Sequence, residues 1–158
     1  MTVRDLTTAD APALLEFYRT LDQEVTWYYL PFGADVRQET LEDHLRAAET
    51  GTHISLGLLD EAQRVLGHVF LWNIRDEKPV FGIGLHQSIL GQGWGRRLAE
   101  TIFARADALR IPLVTLTVLK TNVRACSLYR TLGFETRGVC TMRSTDDSYY
   151  MERIAPAR

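Results

Sequence analysis

Three glycines in five residues, Gly91-Gln92-Gly93-Trp94-Gly95, stand between a short apolar stretch and the longest helical pattern in the chain. Glycine has no side chain to cover such a turn, so a ligand can approach the main chain closely. The helix that follows presents unpaired N–H groups and the positive end of its macrodipole, which together suit an anion. Arg96 and Arg97 add positive charge at the same end. The spacing is neither GxGxxG nor GxxxxGK[ST], so the dinucleotide fingerprint and the nucleoside-triphosphate loop both lose support. From these residues alone, a tight turn serving only packing is the alternative.

Hydrophobic periodicity places helices and strands around this turn. Val3 to Leu6 reads as a strand. A helix follows, capped by Asp10 with Pro12 in its first turn, and Leu14, Leu15, Tyr18 and Leu21 share one face. Asp22 to Asp35 reads as a loop rich in aromatic residues, with Trp27, Tyr28, Tyr29 and Phe32. A second helix starts near Thr40, which has Asp43 three residues on in a capping-box arrangement. Ile54, Leu56 and Leu58 alternate in a strand that pairs as a hairpin with Val65 to Ile74, and Val80 to Leu85 is a third strand of this block. Leu98, Ile102, Ala106 and Leu109 mark the long helix. Leu113 to Leu119 is a β-branched run suited to a buried strand. A helix from Asn122 stops at Gly133, and two late strands, Phe134 to Thr141 and Tyr149 to Ile154, form a closing antiparallel pair. This is a mixed α/β (α+β) pattern of about seven strands and four helices.

Length and composition narrow the function classes. The 158 residues make one domain, 1–158, with a tail Ala155–Arg158 expected to fray. Eighteen Lys+Arg against twenty Asp+Glu argue against a nucleic-acid binder, which draws affinity from phosphate neutralisation. Cys126 and Cys140 form no CxxC pair, and the four histidines show no HxxxH or HxH spacing, so no metal site is expected. The N-terminus lacks a signal-peptide shape and no apolar run approaches the roughly 20 residues that span a bilayer. The expectation is a cytoplasmic protein without a membrane partner.

About 30 residues after the glycine turn comes a second block, Thr121-Asn122-Val123-Arg124-Ala125 and then Leu128-Tyr129-Arg130-Thr131-Leu132-Gly133-Phe134. Together the two blocks resemble the GNAT N-acetyltransferase superfamily, which moves an acyl group from acyl-CoA to an amine. The first is similar to its [QR]xxGxG pyrophosphate motif and the second to its N…A…lY…GF block. The resemblance implies a mostly antiparallel central sheet flanked by helices and splayed at the cofactor site. It implies acetyl-CoA as cosubstrate, a small-molecule or peptide amine as acceptor, and a homodimer as one assembly. By the same resemblance Ile83, Gly84 and Leu85 offer backbone groups to the pantetheine and the thioester carbonyl. Gly91, Gln92, Gly93, Trp94, Gly95 and Arg96 match the pyrophosphate cradle, Asn122 the asparagine that helps hold the pantetheine arm, and Tyr129 the tyrosine that protonates the departing thiolate. A phenol near pKa 10 facing a thiol near 8.5 makes that transfer only mildly uphill. A core aromatic and a plain helix cap are the structural alternatives for Tyr129 and Asn122.

Two departures from the family pattern stand out. Leu90 occupies the first motif position, where the family has Gln or Arg. Thr117 and Pro79 stand where relatives can carry a glutamate base, so a base must come from elsewhere, or from water relayed through backbone carbonyls; His86 and Glu24 are the candidates by type and place. Cys126 reads as packing, and His68 as an in-strand residue. The aromatic loop reads either as a wall of the acceptor pocket or as plain packing, and Trp72, Asn73, Tyr149 and Tyr150 are further candidates for the same cleft. A non-catalytic acyl-CoA-binding module is the rival from another functional class.

Overall fold

The computed structural model describes residues 1–157; Arg158, the end of the tail expected to fray, lies outside them. The strands are β1 (Thr2–Asp5), β2 (Ile54–Leu59), β3 (Val65–Trp72), β4 (Val80–Leu85), β5 (Leu113–Leu119), β6 (Phe134–Cys140) and β7 (Ser148–Ile154). The helices are α1 (Ala11–Arg19), α2 (Gln23–Tyr28), α3 (Gln38–Glu49), α4 (Trp94–Ala108) and α5 (Val123–Thr131). One seven-stranded sheet runs in the order β1-β2-β3-β4-β5-β7-β6, antiparallel at every step except between β4 and β5.

Both faces of the sheet are covered, and strand alternation explains why. Ile54, Leu56, Leu58, Val69 and Leu71 point to one side and pack with Leu98, Ile102 and Phe103 of α4. A second cluster, under α1 and α3, joins Leu14, Phe17, Tyr18, Leu41 and Leu45. Ser55, Gly57, His68 and Phe70 alternate onto that second side, where a Cβ on Gly57 would collide with Leu6.

Three sequence readings need correction. The aromatic segment contains a helix, α2, because the Asp22 carboxylate accepts the Val25 N–H at 3.0 Å and caps it. Thr40 is not a cap, since α3 begins two residues earlier at Gln38 without a side-chain cap. Asp10 does stand at the start of α1, but its carboxylate is taken by Arg4 at 2.8 Å and by the Thr7 N–H at 2.8 Å.

The strand partnership that matters most is the weakest. β4 and β5 are parallel and share a single register pair, Val80 with Thr115, held by Thr115 N–H to Pro79 C=O at 2.8 Å. Beyond it the two strands part, and the sheet opens at its middle.

Among the described residues five polar side chains are buried: His44, Ser55, His68, Thr115 and Ser148. The first three form one hydrogen-bonded run, His44 Nε2 to Ser55 Oγ at 2.9 Å and Ser55 Oγ to His68 Nε2 at 2.7 Å. Burial pushes the His44 pKa down to about 3, helped by nearby His53, and pushes His68 well below its ordinary value, helped by His44. Above the unfolded value near 6.5 both states are neutral and no stability depends on protons. As pH falls below 6.5 the unfolded chain binds protons that the folded chain refuses, so stability is lost toward acid. At pH 5 the loss from His44 is about 2 kcal/mol, and His68 acts in the same direction. Scanning calorimetry between pH 7.5 and pH 5 is expected to show a falling midpoint, and replacing His44 or His68 with Gln is expected to flatten that fall.

Candidate active site

The opening between β4 and β5 exposes main chain rather than side chains. His86 N–H bonds Leu66 C=O at 2.8 Å, and Leu85 lies opposite Gly67. In an antiparallel ladder, bonded and non-bonded residues alternate. The peptide groups of Gly82 and Gly84 therefore face β3, while those of Ile83 and Leu85 face the gap that β5 has left. Buried peptide groups are nearly always paired, so a strand with two unpaired positions in mid-sheet is built to receive a chain carrying amides and carbonyls.

Gly84 carries a second constraint. A Cβ there would lie 1.9 Å from a ring carbon of Tyr29, so only glycine lets that phenol lie against the strand. Burial raises the Tyr29 pKa, and the nearby Tyr129 adds to the rise.

At the glycine turn, Gly91 and Gly93 have φ of +76° and +85°, a conformation that L side chains rarely adopt. Gly93 is the N-cap of α4 and contributes no side-chain cap, so the first amides of that helix, at Trp94, Gly95 and Arg96, are left for an anion. Gln92 is exposed, as is Leu90. Arg97 stacks on the Trp94 ring at 4.9 Å, and Arg96 bonds Thr131 Oγ1 of α5 at 2.7 Å. Arg124 was not singled out from sequence; its guanidinium reaches the turn, 3.6 Å from where a Gly91 Cβ would stand. It lies two residues after Asn122, so its position inside the second block was the available signal.

Across the opening, α5 starts at Asn122, whose Oδ1 accepts the Ala125 N–H at 3.3 Å. The helix-cap reading thus holds, while the Asn122 side-chain NH₂ makes no hydrogen bond among the described residues. Tyr129 is half-buried with its ring edge-on to Phe81 at 5.8 Å and to Phe134 at 5.9 Å. Burial raises its pKa, with the Cys126 thiol adding to the effect, so the phenol stays protonated. No group among the described residues bonds its hydroxyl, which leaves the proton available to an incoming atom. Cys126 is buried against Leu119 C=O and its thiol is pushed up, which fits packing rather than nucleophilic work.

The residues considered as bases do not converge on this point. Thr117 is exposed on β5, and Pro79 is buried with its carbonyl committed to Thr115. His86 has both ring nitrogens engaged locally, Nδ1 with Ser88 Oγ at 2.7 Å and Nε2 with Gln87 at 3.1 Å. Glu24 is exposed in the first turn of α2. Arg143, from the connection between β6 and β7, stacks 4.0 Å over Trp27 and donates to its carbonyl, joining that connection to the aromatic segment. Asp147 holds this connection by accepting the N–H groups of Met142, Arg143 and Ser144. Tyr149 stands between Lys120 and Arg130, and the Tyr150 hydroxyl bonds Glu152 at 2.8 Å. Asn73 is exposed beyond β3, whereas Trp72 is drawn into a buried hydrogen-bonded run described below. Among the described residues, no group of three His, Cys, Asp or Glu side chains is placed to hold a metal ion, and no helix is long and apolar enough to cross a membrane.

Known proteins share this fold. The acetyltransferase of the GNAT family from Streptococcus pneumoniae superposes with a TM-score of 0.84 at 21% identity, over 98% of this chain and 99% of that one. The putative acetyltransferase yncA from Salmonella typhimurium, solved with its cofactor acetyl-CoA, gives 0.81 at 18% identity over 100% and 95%. A GNAT superfamily phosphinothricin acetyltransferase from Sinorhizobium meliloti in complex with acetyl-CoA gives 0.79 at 20% identity over 98% and 88%. At such identities the likeness concerns the fold. Among curated proteins there is no sequence match. The family model for the acetyltransferase (GNAT) domain, however, matches residues 1–135, most of the chain and the stretch that holds β4, the glycine turn and β5. The chain belongs to the GNAT acetyltransferase family.

Proposed function

We propose that this single domain transfers the acetyl group of acetyl-CoA to a primary amine by direct attack, with both substrates bound together. The observation that carries this reading is the parting of β4 and β5 after one register pair, with Tyr129 across the gap. Acetyl-CoA would supply an activated acyl thioester. Gly91 to Arg96, with Arg124, would hold its pyrophosphate through main-chain amides and positive charge. The free peptide groups of Ile83 and Leu85 would pair with the amides of the pantetheine arm, helped by the Asn122 side chain. An N–H of the same strand would meet the thioester oxygen as it gains negative charge, where a preorganised donor is worth about 3 kcal/mol.

The reaction balances without a covalent enzyme intermediate. A C–N bond forms, the C–S bond breaks, the nitrogen loses one proton and the sulfur gains one from Tyr129. The phenol regains its proton from solvent or from the proton released by the amine. Since Thr117 and Pro79 replace the carboxylates of some relatives, the ammonium form of the acceptor would lose its proton to solvent before attack. Amines with pKa near 10 are about one-thousandth neutral at pH 7, so this step is a large part of the barrier.

The same missing carboxylates favour a second reading, an acyl-CoA-binding module without turnover. Release of free CoA in the presence of an amine panel decides between the two. The aromatic segment around Trp27 and Tyr29 supports a small acceptor over a polypeptide, and acetylation of polypeptide amines alone would overturn that preference.

Two outcomes follow for the enzyme reading. Tyr129→Phe is expected to lower kcat by about a hundredfold while leaving CoA affinity unchanged; full activity at every pH would remove the acid role. The wild-type kcat/KM is expected to rise about tenfold per pH unit below the acceptor's pKa. A plateau near neutral pH would reveal a base within the protein.

A further inference from the structure

A run of six side chains crosses the molecule from β3 to the cleft, and its hydrogens can be placed without seeing them. Indole N–H is a donor only, and Trp72 Nε1 lies 3.2 Å from His44 Nδ1. That nitrogen must be bare, so neutral His44 carries its proton on Nε2 and donates it to Ser55 Oγ at 2.9 Å. Ser55 Oγ has one other partner, His68 Nε2 at 2.7 Å, and its own proton goes there. His68 then carries its proton on Nδ1 and donates to the Tyr18 hydroxyl at 2.6 Å. Tyr18 passes its proton on to the Tyr29 hydroxyl at 2.5 Å. A run in the opposite sense would set two N–H groups against each other between Trp72 and His44. Tyr18, His68, Ser55 and His44 are all buried, and burial keeps both histidines neutral, as this placement requires.

The end of the run is what matters. The Tyr29 hydroxyl accepts from Tyr18 and has no acceptor among the described residues for its own proton. Tyr29 is half-buried and lies against Gly84, on the side of the sheet away from α4, between the two residues whose peptide groups face the gap. We infer that Tyr29 is a fixed hydrogen-bond donor on the acceptor side of the cleft, and that it selects amines carrying an oxygen acceptor, such as a carboxylate, carbonyl or hydroxyl, close to the reacting nitrogen. This rests on the acetyl-transfer reading. An O–H aimed at the attacking nitrogen would occupy the lone pair that has to attack, so the matching atom on the acceptor is oxygen. A buried donor left without its acceptor also penalises amines that lack one.

Two measurements test this on the full chain. Long-range ¹H–¹⁵N correlation is expected to show His44 protonated at Nε2 and His68 at Nδ1; a proton on His44 Nδ1 or on His68 Nε2 overturns the direction of the run. Matched acceptors, butylamine against 3-aminopropanol and against β-alanine, then test selection. The oxygen-bearing member is expected to lead by about tenfold in kcat/KM. Tyr29→Phe is expected to remove that lead by slowing only the oxygen-bearing members, and Trp72→Phe to reduce it, because without the indole N–H the run can reverse. Equal losses for both members of a pair overturn the selection, since a donor to the thioester or a structural role acts on every amine alike. Failure of the wild type to acetylate any amine overturns the acetyl-transfer reading and the selection built on it, while the histidine tautomers still report the direction of the run.

Discussion

The site depends on one unfinished strand pairing. β4 and β5 meet at Val80 and Thr115 and then separate, so the sheet stops satisfying its own peptide groups at Ile83 and Leu85. Elsewhere the sheet is thoroughly paired: β3 with β4 over six residues, β5 with β7 over seven. Two unpaired positions in mid-sheet would be costly to close off from both water and a partner. The glycine turn sits at the C-terminal end of the same strand, so the gap and the anion cradle form a single track.

Around this track the fold keeps the neighbours rigid. α4 leaves the turn and packs Leu98, Ile102 and Phe103 into the main core, which fixes the direction of its first amides. α5 is held by Phe134 and Cys126, which fix Tyr129. On the opposite face, α1 and α3 clamp a polar run rather than a purely apolar layer. A run whose inner members are all buried and partnered has one consistent set of proton positions, and here Trp72 sets it. The run gives Tyr29 a defined role that an isolated phenol would not have.

Much of the fold was legible in the sequence because the strands and long helices carry strong periodicity and the turns carry glycine. The seven strands, the long helix after Gly93 and the helix from Asn122 to Gly133 lie where their patterns put them. α2 was missed because six residues with two aromatics carry no helical period, and its start is set by a single cap, Asp22. The main-chain part of the site was legible for a related reason, since glycines announce where backbone is exposed. The polar run was not. Ser55 and His68 each sit singly between apolar or glycine neighbours and His44 stands among charged residues of α3, so only the register of β2 with β3 and the seating of α3 bring them within hydrogen-bond distance. Arg124 was hidden similarly, since its reach to Gly91 depends on how α5 faces the turn.

Amide hydrogen exchange along β4, read residue by residue, addresses the central claim most directly. In the free protein Ile83 and Leu85 should exchange much faster than Gly82 and Gly84, and saturating CoA should slow both while leaving the glycines unchanged. Equal protection of all four amides without ligand, or CoA protection that bypasses Ile83 and Leu85, would contradict a cofactor track built from the parted strands.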